Sequence, residues 1–528
     1  MMLNLFAAAV LSMAPQAPSQ GPTTTPPKVS AQTPAEPGTT IRTAARSLPA
    51  DTLAALVVTP VLGSGLQDLE HLAKLDSLVD QIGALWTLPE QLPAARLGRA
   101  LRNGAVVGWL PGEPGTAPTM LMVAELGAAQ GDLVPALSTL PSSPDDPSVR
   151  IAAVGGARLC FAVRDGKLAI APSTTIALAA LERAKDDNAA SLANDPAFVQ
   201  SLAHVTKPRI GHAFVRPSAL ASHSPNLPEA IRRAWSTAAT RDLVTTAWIS
   251  AGWQIEGRDI ATVIDIGGEQ APQWLRAWTS ANRAVPSALA QFVPTNAGGY
   301  SLGILDPATA ANAIVPLVET LAPQLASAAR SCIANVETQT GVHLDATLRE
   351  HFTGQFATIT STTGDLGLVA AVVDGTELFK VLQKVVPALG LTIQNGTCTG
   401  TPCWRAASEG ATSPVFAVVG NTFVIAGSDE HFAAIAQQVQ HEKPNAAAAE
   451  AVRMATAEAT VTWLSSGKAQ LLPQTWQESM PELLVRATQH GLTVQAKDAH
   501  VLITQTMDGN RLLELLSQRS EEHTSELQ

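Results

Sequence analysis

The sequence predicts an α+β fold of two tandem homologous domains, each a mostly antiparallel sheet with helices packed on one face. Three observations predict it. Phe161-Ala-Val-Arg-Asp-Gly-Lys-Leu-Ala-Ile-Ala-Pro-Ser173 can be laid on Phe416-Ala-Val-Val-Gly-Asn-Thr-Phe-Val-Ile-Ala-Gly-Ser428 without a gap, sharing Phe, Ala, Val, Ile, Ala and Ser in place. Each copy is an apolar run, a turn pair (Asp165-Gly166, Gly420-Asn421), a second apolar run and a polar helix start. Tight hairpins need positive φ at their centre, which Asp, Asn and Gly tolerate, so the copies share a physical constraint as well as letters. Alternation such as Thr493, Gln495 and Lys497 then implies sheets with one wet side.

The remaining elements recur in the same order. Leu48-Pro-Ala-Asp51 before the strand Leu53 to Val58 corresponds to Val293-Pro-Thr-Asn296 before Tyr300 to Leu305. Helical patterns follow, Leu66 to Val79 in one copy and Ala308 to Ala328 in the other. Gly104 and its strand correspond to Gly354 with Gln355 to Thr360. The strand Met120 to Ala124 with helix Leu133 to Leu140 corresponds to Leu366 to Val373 with Glu377 to Val386. After the shared hairpin come a helix (Thr175 to Lys185, Glu430 to Val439) and a strand (Arg209 to Val215, Ala459 to Leu464). Trp253 to Asp259 matches Leu492 to Asp498, each leading into a further strand, Ala261 to Ile266 or His500 to Thr506. The expected domains are residues 45–283 and 284–518.

The ends read differently. Residues 1–14 are expected to be an export signal, because Leu3 to Met13 is an apolar stretch too short to span a bilayer. No Lys or Arg precedes that stretch, and Pro15 follows the plausible cleavage residue Ala14. Residues 15–44 are rich in Pro and Thr and are expected to be a disordered linker. Residues 519–528, Arg519-Ser-Glu-Glu-His-Thr-Ser-Glu-Leu-Gln528, resemble the translation of a sequencing adapter and are set aside as a non-native tail.

Composition narrows the function classes. Among 528 residues only 15% are charged and the net charge is −11, with Arg232-Arg233 the only adjacent basic pair. Nucleic-acid binding needs clustered cations against phosphate, so no nucleic-acid partner is expected. No run is long and apolar enough for an integral membrane span.

Chemical motifs are few. Gly299-Tyr-Ser-Leu-Gly303 has the letters of a nucleophile elbow, which would make Ser301 a hydrolase nucleophile with His343, Asp345 and His351 downstream. An elbow needs a helix immediately after the serine, yet Leu302 to Leu305 reads as continuing strand. No histidine spacing suits a metal and no glycine loop suits a dinucleotide or nucleotide, so no catalytic residue, metal or cofactor is expected. Cys398 and Cys403 bracket a short loop after Asn395-Gly396, which reads as a hairpin turn, and that spacing can close a disulfide. Cys160 and Cys332 read as buried small apolar residues.

Leu48-Pro-Ala-Asp-Thr52, Asn194-Asp-Pro-Ala-Phe198 and the repeated strand–turn–strand–Ser/helix unit resemble a family of exported bacterial proteins of unknown function. That resemblance implies a duplicated α+β domain behind a signal or lipoprotein tether, although no lipobox cysteine is present, and it brings no activity. The expectation is an exported, non-enzymatic binding or envelope-interaction protein of the periplasm or cell envelope, its partner a protein or apolar ligand. One alternative is a carrier of hydrophobic or lipid-like ligands, which needs a cavity above about 300 Å3 lined by Leu, Val and Trp. The other is a serine hydrolase using Ser301.

Overall fold

The computed structural model describes residues 37–59, 103–112, 118–223, 248–267, 285–304, 323–467 and 489–508. Short gaps fall at 113–117, 155–156, 206, 208, 257–258, 390–391, 399, 408–413, 442–444, 457–459 and 498–499. The expected signal, the helix Leu66 to Val79 and the tail after 518 lie outside the described residues. The chain divides into two compact units. Met1–Leu227, Thr246–Gly268 and Met507–Gln528 form the first; Pro228–Thr245 and Glu269–Thr506 form the second.

The first unit is an antiparallel sheet. Its strands are β1 (Ala54–Val58), β2 (Ala105–Leu110), β3 (Thr119–Glu125), β4 (Arg150–Val154), β5 (Ala157–Arg164), β6 (Lys167–Ala171), β7 (Gly211–Val215), β8 (Trp248–Glu256) and β9 (Asp259–Gly267). They pair in the order β4-β5-β6-β3-β2-β1-β7-β8-β9. Its helices are α1 (Pro37–Ala45), α2 (Gln130–Ser138), α3 (Thr174–Arg183), α4 (Pro196–Ser201) and α5 (Pro217–Ser222).

Helix α1 corrects the expected linker: residues 37–44 are ordered, and Ile41 and Ala45 are fully buried. A Pro/Thr-rich composition did not prevent a helix there, because two apolar side chains at i, i+4 spacing found a core to enter.

Strand alternation distributes this unit's core over two faces. Leu121, Val123, Cys160, Ala162, Ala169 and Ala171 meet α1, α3 and α4 on one side. Their neighbours Met122, Phe161, Leu168 and Ile170 meet Leu133 and Leu137 of α2 on the other. Helices therefore gather mainly on one face, and α2 covers the opposite face of the β3-β5-β6 region. The Asp165-Gly166 turn has φ of 50° and 74°, both positive as a type I′ hairpin requires.

The second unit contains β10 (Gly299–Ile304), β11 (Phe352–Thr360), β12 (Leu366–Val372), β13 (Thr392–Cys398), β14 (Thr401–Ala407) and β15 (Val415–Val419). It continues with β16 (Thr422–Ala426), β17 (Thr460–Gly467), β18 (Gln489–Lys497) and β19 (His500–Asp508). The pairing order is β13-β14-β15-β16-β12-β11-β10-β17-β18, again antiparallel. Read from β14 to β18, this order matches β4 to β8 strand for strand. In each unit the phenylalanine of the shared hairpin pairs with the strand that precedes it, Phe161 opposite Arg150 and Phe416 opposite Trp404.

Helices of this unit are α6 (Pro323–Thr340), α7 (Leu344–His351), α8 (Gly375–Ala388), α9 (Asp429–His441) and α10 (Ala446–Thr456). Phe432 and Ile435 of α9 and Val452 of α10 bury one sheet face with Ile359, Val369, Ala417 and Val424. Leu382 and Val386 of α8 bury the other against Phe416 and Trp404.

Three local expectations are corrected. The helix expected to end at Ala328 runs to Thr340. Asn395-Gly396 lies inside β13, and the chain reverses between Cys398 and Thr401, which pair with each other. Cys332 is exposed on α6, not buried. No helix among the described residues is long and apolar enough to cross a membrane.

Candidate functional site

A recess of the first unit, about 380 Å3, opens at one end of its sheet. Its floor is Val58, Val106 and Val123, where β1 and β3 end and β2 begins. Thr39 and Thr43, one turn apart on α1, line one wall with Ser47 just beyond the helix. Across the floor stand Glu125 at the end of β3 and Lys167 at the start of β6, ion-paired to each other. Their opposition is set by register, since Glu125 and Lys167 are cross-strand partners. Asn103 braces the rim by donating from Nδ2 to the Leu126 carbonyl at 2.8 Å. The site combines an apolar base, several hydroxyls and one carboxylate–ammonium pair. Such a lining can hold a small ligand with polar groups.

A second polar assembly lies deeper, beneath α4. Arg209 precedes β7, and His212 sits within it; they are 5% and 0% exposed. An arginine only donates, so the 2.8 Å contact from Arg209 Nη1 makes His212 Nδ1 an acceptor. The ring proton then lies on Nε2, 3.4 Å from the Ser201 hydroxyl oxygen. Ser201 in turn donates to the Phe198 carbonyl at 2.7 Å. Burial first, and the Arg209 charge second, hold His212 well below the ordinary 6.5 of histidine. Burial also lowers Arg209 to about 10, opposed by Asp265, so the guanidinium stays charged at neutral pH. His204 Nδ1 lies 3.1 Å from Asp265 on β9. Gly252 of β8 is required here, because a Cβ would meet the Arg209 guanidinium. With Nδ1 occupied by a cation, His212 cannot take a proton from Ser201, so this Ser–His contact is structural.

The segments behind the family resemblance converge on one latch. Leu192 N–H donates to the Leu48 carbonyl at 2.9 Å, and Asp195 caps α4 by accepting from Phe198 N–H at 3.1 Å. Arg216 donates to the carbonyls of Ala50 and Thr52 at 2.8 and 3.0 Å and pairs with Asp195 at 2.6 Å. In the second unit Asn445 does this alone. Its Oδ1 caps α10 through Ala447 and Ala448, and its Nδ2 donates to the Pro294 carbonyl at 3.1 Å. Both motifs therefore tie a Pro loop to a helix N-terminus.

The sequence-predicted site residues fall as follows. Ser301 is 0% exposed in mid-strand, paired with Thr358 on one side and Ser465 on the other, so it is no strand-to-helix elbow. His351 ends α7, which begins after His343. Cys398 and Cys403 are both buried, their sulfurs 2.9 Å apart. Sequence reasoning missed the recess, Glu125 and Lys167, and the Arg209–His212–Ser201 chain. The only signal for the latter was the run Arg209-Ile-Gly-His212, polar residues where strand residues should be apolar. Compared with known proteins, the chain matches no family model, no curated protein and no solved structure.

Proposed function

We propose that the chain is an exported, non-enzymatic binding protein whose first unit holds a small polar ligand in the recess between α1 and the β1-β2-β3-β6 strands. The observation that carries this reading is the opposition of Thr39, Thr43 and Ser47 to the Glu125–Lys167 pair across a valine floor. A recess of about 380 Å3 has the size of a small-molecule site. Among the described residues its lining contains no Leu or Trp, which weighs against the lipid carrier although the volume suffices. A ligand carrying both hydroxyl or amide groups and a charge can exchange hydrogen bonds with the hydroxyls and with either member of the ion pair. The export and cell-envelope setting rests on the apolar stretch Leu3 to Met13 and the Pro/Thr-rich tract behind it.

The test is calorimetric titration of the full chain with three probes: alanyl-alanine, maltose and palmitate. Binding of the dipeptide or the disaccharide is expected, weakened at least tenfold in Thr43→Trp, which fills the recess from an exposed helical position. Palmitate binding that Thr43→Trp abolishes would restore the carrier. Silence from all three probes removes the recess as a ligand site.

A further inference from the structure

We propose that Cys398 and Cys403 are a modification site, closing by exchange with a glutathione-class disulfide into a staple across the β13–β14 hairpin. The register carries the inference. Cys398 stands opposite Thr401 and Cys403 opposite Gly396. Side chains alternate along a strand, so Gly396, Cys398, Thr401 and Cys403 share one face and the two thiols are diagonal neighbours. Gly396 presents no side chain to Cys403, whose sulfur is 3.7 Å from where a Cβ would stand. The Cys403 thiol leans along the diagonal instead, bringing the sulfurs to 2.9 Å. Both are buried, so no solvent layer holds them apart.

A counter-charge is already in place. Arg405, two residues beyond Cys403, puts its guanidinium 3.7 Å from the Cys398 sulfur and pairs with Asp429 at the start of α9. A negative sulfur at Cys398 is thereby compensated, and Cys398 is the attacking thiol. Burial, with the Cys398 contact, pushes Cys403 up to about 12, so Cys403 keeps its proton while Cys398 makes the first attack. Cys398 thiolate attacks oxidised glutathione, forming a mixed disulfide and expelling one glutathione thiolate. That thiolate takes the Cys403 proton, and Cys403 sulfur displaces the second glutathione. Two protein thiols become one disulfide, and oxidised glutathione becomes two thiols.

Strand β13 lies beyond the strands that match the first unit, so the staple secures an addition seen, among the described residues, in the second unit. Its opening would loosen the hairpin that carries Trp404, stacked on Phe379 of α8 with ring centroids 3.8 Å apart.

Because both sulfurs are buried, the experiment starts from the reduced, denatured full chain, carrying Cys332→Ser to remove the exposed thiol. It is refolded in mixed oxidised and reduced glutathione, quenched in acid, denatured, alkylated and read by peptide mass spectrometry. Alkylation of Cys160 alone, with a linked Cys398–Cys403 peptide, is the expected result. On reduction the melting temperature should fall by roughly 5 °C, and this fall should vanish in Cys398→Ser and in Cys403→Ser. Three alkylated thiols, or glutathione left on Cys398, overturns the proposal. A linked peptide with no change in melting temperature overturns the staple.

Discussion

His212 illustrates how much one side chain can settle. Held between a buried arginine and a serine, it is neutral in the folded chain, whereas an unfolded histidine takes a proton near 6.5. Below that pH the unfolded state binds the extra proton, so stability is expected to fall as pH drops from 6.5 towards the lowered folded value. His212→Gln keeps an acceptor for Arg209 and a donor for Ser201 but does not titrate. Urea unfolding of the two proteins between pH 5 and 7 should show a slope smaller by up to about 1.4 kcal/mol per pH unit in the variant. An equal slope would mean that His212 titrates normally. At the same scale Ser301, buried between two strands, should leave a fluorophosphonate probe without any label that Ser301→Ala removes. Little of this residue chemistry could be read along the chain. Gly211-His-Ala-Phe-Val215 shows one polar letter in a strand, while its partners Arg209, Ser201 and Phe198 come from other elements.

Helix ends and turns were far more legible, because their physics is local. Ser173 and Ser428 cap α3 and α9 through Ile176 and His431 N–H groups at 3.3 Å each. The two hairpin turns also follow their letters: Asp-Gly takes positive φ at both residues, and Gly-Asn at Gly420 only. Asn445 goes further than a cap, since the same amide reaches the Pro294 carbonyl. Asn445→Ala is therefore expected to cost about 2 kcal/mol, a cap plus a bridging bond, against about 1 kcal/mol for Ser173→Ala. Denaturant midpoints at constant slope measure both; equal losses would show that the bridge contributes nothing. The misplaced turn at Asn395-Gly396 marks where local signals fail. Asn-Gly favours a reversal, but Cys398 and Cys403 are buried, and burying both moves the turn to between Cys398 and Thr401.

At the scale of the whole molecule, each unit has its own core. One includes Ile41, Phe198 and Trp248, and the other Phe292, Phe432 and Leu464. Scanning calorimetry should accordingly resolve separate transitions. Phe198→Ala should lower only one and Phe432→Ala only the other, each by about 3 to 5 kcal/mol. Both substitutions moving one shared transition would contradict independent cores.

Alternating apolar runs, tight-turn letters and capping residues act over a few positions, so they announced the α+β class, the antiparallel hairpins and the helix starts without any tertiary information. Which strands became neighbours, which threonines came to face Glu125 and Lys167, and where His204 met Asp265 depended on contacts between distant residues. Those contacts exist only once the sheets close and the helices bury them, and no window of sequence contains both partners.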